Sequence, residues 1–199
     1  MNFKKNTKKI IFSLLPLSLV IIIGYLLTEN IKNYRLSLEK KGLMYYQKIH
    51  NLYYYKENIY YELDETNKRK YIEINGNKYY KIKDGENTFE MIATDFLPYA
   101  SYFMGLKIID NKYYIKDIGR GMSNYYGTTL KLKKKSKNKI EYKAITKMCK
   151  KESIVSYGEG CTADGYYEIE KPFTIVKEDN KWKVLEYTSV FQFSDRELK

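Results

Sequence analysis

Few side chains of this 199-residue chain have the chemistry that catalysis usually needs. His50 is the only histidine, so one chain can assemble neither a two-histidine metal site nor a Ser-His-Asp triad with a spare imidazole. A thiolate nucleophile at Cys149 or Cys161 would likewise depend on His50 as its base. We therefore expect no catalytic residue, no metal and no cofactor, and we interpret His50 as an ordinary packed or surface residue.

One segment is of a different kind. Gly119 and Gly121 alternate around the long side chain of Arg120, which is typical of a loop that exposes its backbone and enters a narrow cleft. The segment is too short for a dinucleotide-binding loop, and strand-like sequence follows it. A connecting loop without function is the alternative. Its residues are Asp117, Ile118, Gly119, Arg120, Gly121, Met122, Ser123 and Asn124.

A basic run between residues 131 and 139 holds six lysines among nine residues. We interpret it as the solvated edge and turn of a hairpin, where lysines discourage edge pairing. The functional alternative is an electrostatic contact with anionic wall polymers or lipid headgroups. The lysines are Lys131, Lys133, Lys134, Lys135, Lys137 and Lys139.

Tyrosine is abundant, with 23 residues, and several form adjacent pairs such as Tyr79-Tyr80, Tyr113-Tyr114 and Tyr166-Tyr167. An aromatic platform for sugars or bases is one interpretation. Neighbouring residues of a strand point to opposite faces, however, so we expect each pair to supply one core ring and one surface ring.

The N-terminal region has the pattern of a membrane element. Ile10 to Leu27 is a run of 18 uncharged, mostly apolar residues, and a helix of that length is about 27 Å long, close to the hydrocarbon thickness of a bilayer. Four lysines precede it and place the N-terminus in the cytoplasm. No small-residue cleavage site follows, so we expect an uncleaved signal anchor rather than a cleaved signal peptide, with the rest of the chain outside the cell.

The formal charge of +12 alone is compatible with nucleic acid, an anionic membrane surface or an anionic extracellular polymer. Four of these charges are the tail lysines, which leaves 32 basic and 24 acidic residues in the exported part. Export makes nucleic acid an improbable partner. The bias towards Lys, Asn, Ile and Tyr is also typical of AT-rich genomes and suits a low-G+C, Gram-positive bacterium.

In an exported chain the two cysteines acquire a second interpretation. Cys149 and Cys161 flank the tip of what the sequence indicates is a long hairpin, and bridging them would stabilise the chain by roughly 2 to 3 kcal/mol. Two free thiols and one reactive cysteine are the alternatives.

The helical part comes first. Apolar residues recur at mostly helical intervals over 35–56, which predicts an amphipathic helix that runs on from the apolar segment with Gly42 as its weak point. Residues 57–69 are expected to form a polar loop, and an Asn-Gly pair predicts a hairpin over 70–82. A further helix begins at Asn87, with Glu90 completing the cap and Pro98 ending or kinking it. The face that it buries holds Phe89, Ile92, Ala93, Phe96 and Leu97.

From residue 99 the pattern changes to strands. A short helix over 99–104 stops at Gly105, and strands are predicted at 106–109, 112–116, 128–134, 139–148, 166–177 and 181–193. The fold class is α+β, with about three helices followed by a mainly antiparallel, curved sheet of about eight strands. The predicted divisions are a basic tail at 1–9, a signal anchor at 10–27, a helical connector at 28–69 and an α+β domain at 70–199, with the 35–56 helix packed on it.

The order of these elements resembles the IseA (YoeB) family of proteinaceous inhibitors of bacterial cell-wall DL-endopeptidases. The segments that carry the resemblance are Tyr79-Tyr80-Lys81-Ile82, the helical stretch Asn87 to Met104, the stretch Asp110 to Gly127, and the terminal Phe173 to Leu185. They span roughly residues 70 to 193. The specificity of the resemblance comes from their order and spacing and not from any short motif.

The resemblance implies a single α+β domain and an inhibitor whose glycine-bearing loop enters the cleft of Cys-dependent NlpC/P60 peptidoglycan hydrolases, or autolysins. On this chain that loop is 117–124. One residue departs from the family, whose loop is thought to act through an acidic residue beside its glycines. Here Arg120 stands between Gly119 and Gly121, and Asp117 is the nearby carboxylate. The anchor and the Cys149 to Cys161 stretch are also peculiar to this chain.

Two alternatives to an inhibitor stay open. A non-catalytic envelope module could bind an anionic wall polymer or an envelope protein complex through the basic run. An NTF2-like α+β cone also fits a chain that begins with a helix and ends in a strand with Trp182, although we identify no converging polar groups for a small-molecule pocket.

Overall fold

The computed structural model describes the backbone of residues 3–55, 59–116, 125–150, 154–156, 160–161 and 165–188, and most of their side chains from residue 20 onward. The chain divides into two compact units, Met1–Leu38 and Glu39–Lys199. Helix α1 (Phe3–Tyr55) contributes residues to both units. The prediction that the 35–56 helix runs on from the apolar segment is therefore confirmed for the backbone.

The first unit is helical, and its described side chains between Val20 and Leu27 are apolar or aromatic, whereas charged residues such as Glu29 and Lys32 follow them. Six large apolar residues of this part are between 48 % and 65 % exposed: Val20, Ile22, Ile23, Tyr25, Leu26 and Leu27. Thr28 donates its hydroxyl hydrogen to the carbonyl oxygens of Gly24 and Tyr25, at 2.8 Å from each. Among the described residues, no helix combines the length and the apolar character needed to cross a bilayer. The predicted signal anchor begins among side chains outside the described set and stays a prediction.

In the second unit, the C-terminal part of α1 buries one face. Tyr46, Ile49, Leu52 and Tyr53 are buried as the periodicity predicted, because residues three and four apart share one side of a helix. Met44, another apolar residue of the 35–56 segment, is 44 % exposed. His50 and Tyr54 are also buried on this part of α1. A periodicity that considers apolar residues alone does not predict a buried histidine.

Gly42 is a close-packing position rather than a weak point of α1. A Cβ atom there would lie 2.5 Å from Cζ of Tyr142 and within 2.9 Å of two further ring atoms. The Tyr142 ring is 1 % exposed and so has no open space to move into. The missing side chain lets the helix approach the ring closely, which is why glycine is present in mid-helix despite its low helix propensity.

The first sheet contains β1 (Tyr71–Ile74), β2 (Asn77–Lys81), β3 (Leu106–Ile109) and β4 (Lys112–Lys116), in the antiparallel order β1-β2-β4-β3. Two-residue turns close both hairpins, with φ of 50° at Asn75 and 73° at Gly76, and of 49° at Asp110 and 57° at Asn111. Positive φ at both central residues matches the twist of the strands, and Asn, Asp and Gly tolerate it best. The predicted hairpins are confirmed.

The segment expected to be a polar loop extends this sheet. Tyr61 forms a β-bridge with Ile82, and Leu63 forms one with Arg69. The amide of Glu62 donates to the carbonyl of Lys81 at 2.9 Å. Residues 57 and 58 of the predicted loop lie outside the described residues.

Helix α2 (Gly85–Phe89) is shorter than the helix expected from Asn87, and α3 (Leu97–Met104) is the short helix predicted over 99–104, which begins two residues earlier. The cap prediction was wrong, because Asp84 is the N-cap residue and Asn87 donates its side-chain amide to the Asp84 carboxylate at 2.9 Å. Glu90 forms an ion pair with Lys181 instead. Pro98 also begins a helix rather than ending one, since proline needs no N–H partner in the first turn.

The stop of α3 at Gly105 is confirmed, with φ of 68° at that residue. The apolar face predicted for this region is buried at Phe89, Ile92, Ala93 and Phe96.

The second sheet contains β5 (Tyr125–Lys135), β6 (Lys139–Cys149), β9 (Tyr166–Glu178) and β10 (Lys181–Tyr187), in the antiparallel order β10-β9-β6-β5. A small ribbon of β7 (Ile154–Ser156) and β8 (Gly160–Cys161) is inserted between β6 and β9. The predicted strands are confirmed here, although residues 189–193 of the last one lie outside the described residues.

The α+β class is confirmed, but a single sheet of about eight strands is wrong. Two four-stranded sheets form, because β2 returns to pair with β4 and the first sheet is complete before β5 begins. Residues 91–93 bond to the edge of the second sheet: the amide of Ala93 donates to Val184 at 2.8 Å, and the amide of Val184 donates to Met91 at 2.7 Å. The sequence alternation identifies strands but not their partners.

We expect Gly42→Ala to lower the free energy of unfolding by about 1 to 2 kcal/mol, because overpacking against the Tyr142 ring outweighs the better helix propensity of alanine. Urea unfolding of the full chain in detergent, followed by near-ultraviolet circular dichroism, measures this. Gly24→Ala is the matched control, since a Cβ atom there has nothing within 4 Å. An equal loss in both variants would contradict the packing argument.

Candidate functional site

The glycine-bearing loop predicted at 117–124 lies outside the described residues. The structure describes the residues on either side of it, which we call the frame of the loop. The loop leaves β4 after Lys116 and enters β5 at Tyr125. At its start, Lys116 pairs with Tyr79 and donates its amide hydrogen to the carbonyl of Gly105 at 2.9 Å. Residues 117–124 therefore connect the last strand of the first sheet in chain order to the first strand of the second sheet.

At the other end, Tyr125 is tied to the core by a line of hydroxyl groups. Its OH donates to Oγ1 of Thr128 at 3.1 Å, and Oγ1 of Thr128 is 2.8 Å from Oγ1 of Thr146. Thr146 is buried and lies 3.2 Å from the OH of Tyr46 on α1. Three elements thus share one hydrogen-bonded line that ends at the first residue after the loop.

His50 packs against the same tyrosine. The two ring centroids are 4.4 Å apart, and Nδ1 of His50 is 3.0 Å from the OH of Tyr187. Desolvation by burial lowers the pKa of His50 to about 4, so the imidazole is neutral at pH 7. Burial also raises the pKa of Tyr46 and of Tyr187. The network around the root of the loop therefore carries no charge near neutral pH.

The cysteine region lies at the same end of the second sheet. In the strand register, Tyr125 is opposite Met148, and Cys149 is opposite Tyr166. Cys149 is disulfide-bonded and buried, and the sequence has one other cysteine, Cys161, at the end of β8. Strand β8 also contacts β5. The sequence analysis did not connect the glycine loop with the cysteines. In the structure, the strand ends to which the two segments are attached are adjacent.

Exposed tyrosines surround these attachment points. The rings of Tyr126 and Tyr166 are stacked at 6.3 Å, and Nζ of Lys147 lies 4.3 Å from the Tyr166 ring centroid. Tyr126 is 56 % exposed and Tyr167 is 45 % exposed. The expectation of one core ring in the Tyr166-Tyr167 pair is wrong, because Tyr166 packs on Tyr126 and Lys147 at the surface. For the pair before the loop, Tyr114 is the buried ring and Tyr113 is half-buried.

The basic run lies at the opposite end of the second sheet, where β5 turns into β6. All six of its lysines are exposed. Along the strands that follow, Nζ of Lys139 is 2.9 Å from a carboxylate oxygen of Glu141, and Nζ of Lys143 is 2.6 Å from one of Glu170. The structure therefore does not bring the basic run together with the root of the loop.

A charged cluster on the first sheet was not found from the sequence. Glu62 forms ion pairs with Lys70 and Lys81, and its hydrogen bonds to these two lysines lower its pKa to about 2. Beside it is a shallow cavity of about 370 Å³ whose lining includes Arg69 and Tyr71. No spacing signal marks these residues, because the β-bridges that bring residues 61–70 onto the sheet are not encoded by local alternation.

No group of three His, Cys, Asp or Glu residues that could hold a metal ion occurs in the described part of the chain. The chain matches no family model, and no curated protein matches it. The resemblance to the endopeptidase inhibitors, drawn from the order and spacing of the segments named above, stays a prediction.

The pKa of His50 predicts a specific dependence of stability on pH. The unfolded chain takes up a proton near pH 6.5 and the folded chain near pH 4, so lowering the pH between these values favours the unfolded state by about 3 kcal/mol in total. Stability is fully present above pH 6.5 and declines towards pH 4. Because His50 is the only histidine, His50→Asn should remove this component. Urea unfolding at pH 7.5, 6 and 5 measures it, and parallel curves for both proteins would contradict it.

Proposed function

We propose that this chain is a membrane-anchored, extracytoplasmic inhibitor of peptidoglycan DL-endopeptidases of the NlpC/P60 type. Residues 117–124 occlude the cleft of the enzyme, and the chain itself catalyses nothing. The observation that carries the proposal is the frame of this loop, which joins two separate sheets and is followed directly by a residue tied into the core.

The frame supports an occluding loop for an energetic reason. A loop that binds in a cleft loses conformational freedom, and a rigid attachment reduces the part of that loss that occurs on binding. On one side, Lys116 is hydrogen-bonded to Gly105 and paired with Tyr79. On the other side, Tyr125 contacts His50 and Thr128. Eight residues of the sequence lie between these fixed ends, and two of them are glycines, which add no side-chain bulk.

The surroundings of the loop suit a contact with a protein. Tyrosine is favoured at interfaces because its ring supplies area while its hydroxyl group stays hydrated. Tyr126 and Tyr167 are exposed beside the point where the loop enters β5, and Lys147 adds a cationic group over Tyr166. The disulfide at Cys149 restrains the neighbouring strand end. These residues lie beside the point where the proposed inhibitory loop enters β5.

The membrane anchor is supported by the first unit. A helix that is apolar all round is stable when an apolar environment surrounds it, as in a bilayer. The described side chains from Val20 to Leu27 have this character and are exposed. Thr28 satisfies its hydroxyl within the helix, which suits the end of an apolar stretch. The basic residues before the stretch favour a cytoplasmic N-terminus and an exported second unit.

The direct test mixes the full chain, in nonionic detergent, with NlpC/P60 endopeptidases of the same organism and purified peptidoglycan. We expect hydrolysis to fall with inhibitor concentration in the micromolar range. Activity of an unrelated muramidase on the same substrate is the control for sequestration of the wall by a basic protein. Undiminished endopeptidase activity, or an equal loss of endopeptidase and muramidase activity, would contradict the proposal.

Gly119→Pro with Gly121→Pro should weaken inhibition at least about tenfold, because proline fixes φ and removes N–H groups from a loop that must fit a cleft. The measurement is the inhibitor concentration that halves endopeptidase activity. Unfolding of the variant should match that of the parent protein, since both substitutions lie between the fixed ends Lys116 and Tyr125. A stable variant with unchanged inhibition would exclude the loop from the interface.

Asp117→Asn should also weaken inhibition, by about 3- to 30-fold, if the carboxylate makes a charged contact in the cleft. Asp110→Asn removes the same charge at the opposite end of β4, in a turn where asparagine tolerates the φ of 49°. This matched variant should inhibit like the parent protein. Equal effects of the two variants would assign the change to net charge rather than to a contact of Asp117.

A further inference from the structure

One face of the second sheet points away from α1, and it carries an aromatic group. Thr146 on β6 lies 3.2 Å from a tyrosine hydroxyl of α1, so the next residue, Lys147, points to the opposite face. In the strand register, Lys147 is opposite Gly127 on β5 and Glu168 on β9. Directly opposed residues share one face of a sheet. We call the face that holds this row the outer face.

Tyr126 and Tyr166 form the aromatic group. Their rings are almost parallel, with an angle of 9° between the planes and 6.3 Å between the centroids. Nζ of Lys147 lies 4.3 Å from the centroid of the Tyr166 ring, which places both rings on the outer face. Tyr126 is nevertheless 56 % exposed. A ring that its neighbours hold in one orientation loses little conformational freedom on binding, and its open surface is available to a ligand.

Gly127 follows Tyr126 and has no side chain to fill the space above the sheet. Apart from the two residues next to it in the chain, no described atom would lie within 4 Å of a Cβ atom at Gly127. Glycine inside a strand contributes nothing to packing, and it often marks a position where a ligand approaches the backbone closely. The outer face therefore has an open position directly after the exposed ring, in the same row as Lys147 and Glu168.

Lys147 and Glu168 supply polar groups beside the rings. Nζ of Lys147 is 4.0 Å from a carboxylate oxygen of Glu168, whereas a direct hydrogen bond is about 2.7 to 3.2 Å long. One hydroxyl group fits this pair, because it accepts from the ammonium group and donates to the carboxylate at the same time. A pyranose ring offers such hydroxyl groups at its edge and C–H groups on its face, which suit the negative face of a tyrosine ring.

The charges along β6 favour an uncharged ligand. Nζ of Lys139 is 2.9 Å from a carboxylate oxygen of Glu141, and Nζ of Lys143 is 2.6 Å from one of Glu170. Tyrosine rings also stack on nucleobases, but a nucleic acid needs cations that neutralise its phosphates. A carboxylate beside each lysine of this strand repels a phosphate, whereas it accepts a hydrogen bond from a sugar.

We propose that Tyr126 and Tyr166, with Lys147 and Glu168, bind a neutral chain of pyranose sugars. The ring of Tyr126 stacks on one sugar, the lysine and the glutamate hold a hydroxyl group, and the glycine after Tyr126 leaves room for the sugar above β5. An aromatic platform for sugars is one interpretation of the tyrosine pairs, and core packing of one ring is the other. The position of Tyr166 at the surface, stacked on a second exposed ring, favours the platform here.

Sugar binding goes beyond inhibition and is measured without any enzyme, although the rings lie beside the point where residues 117–124 enter β5. A chain that binds sugar and does not inhibit would contradict the proposed function alone. A chain that inhibits and does not bind sugar would contradict sugar binding alone, and it would leave the two tyrosines as contacts of the enzyme.

The test titrates the full chain by isothermal calorimetry with two uncharged tetrasaccharides, cellotetraose and chitotetraose, which differ in their acetamido groups. A polyoxyethylene detergent keeps the chain in solution, because maltoside headgroups are themselves sugars. We expect at least one tetrasaccharide to bind with a Kd below about 1 mM, and the tighter of the two shows whether acetamido groups are recognised. Tyr126→Ala should weaken this binding at least about tenfold.

Tyr126→Phe keeps the ring and should bind within about twofold of the parent protein. The matched control is Tyr71→Ala on the first sheet. Tyr71 is 48 % exposed and has Nζ of Lys78 at 4.4 Å from its centroid, but the neighbouring ring of Tyr80 is tilted by 57° instead of stacked. Tyr71→Ala should also bind within about twofold. Thermal unfolding checks each variant, and Tyr126→Leu replaces Tyr126→Ala if the alanine variant is unfolded.

Three results would overturn the proposal. The first is that neither tetrasaccharide binds at concentrations up to about 10 mM. The second is an equal loss of binding in Tyr71→Ala and Tyr126→Ala, which would mean that sugars adhere to any exposed tyrosine. The third is a short oligothymidylate that binds more tightly than both sugars and loses its binding in Tyr126→Ala, which would assign the rings to nucleobases.

Discussion

The packing of α1 on the second sheet is the interaction on which the other features depend. The helix approaches closely because Gly42 leaves room for the buried ring of Tyr142. Towards the C-terminus of the helix, Tyr46 and His50 replace purely apolar contacts by hydrogen bonds to Thr146 and Tyr187. Such bonds have strict geometry, so they fix the rotation and the position of the helix more narrowly than apolar packing does.

The same packing organises both ends of the second sheet. At one end it supplies His50, against which Tyr125 rests, and Tyr125 is the residue where the chain enters from the proposed inhibitory loop. At the other end it supplies Lys41, which lies over Trp182. A shift of the helix along the sheet would disturb both places. One interface therefore supports both ends of the second sheet.

Local sequence signals predicted much of the fold. The turns at Asn75, Asp110 and Asp179 have positive φ, and the side chains that tolerate it are visible in the sequence. Strands β3 and β4 were predicted to the residue, because these turns bound them. The stop at Gly105 was found for the same reason. Each of these features is decided within about four residues of chain.

What depends on distant partners was missed. Asn87 is an acceptable N-cap residue, yet Asp84 is the N-cap residue of α2. Glu90 forms an ion pair with Lys181 of the second sheet. The division into two sheets depends on β2 choosing β4 as its neighbour. At the candidate site, the sequence indicated the glycine loop but not its root in Thr128 and Thr146. Threonine in a strand has no pattern that distinguishes a buried hydrogen-bonding role from an exposed one.

The charge of the chain acquires meaning only from its distribution. A value of +12 is compatible with many partners, and the basic run suggested a surface contact by its density alone. The strand register divides the lysines differently: Lys143 on one face of the second sheet meets a carboxylate, while Lys177 lies on the other face and its charge lowers the pKa of Lys41. Exposed ion pairs are screened by solvent and contribute little, whereas burial changes the pKa of a lysine and makes its charge depend on its neighbours. The position of each lysine in the strand register, and not the density of lysines along the sequence, therefore decides which of the charges can act together.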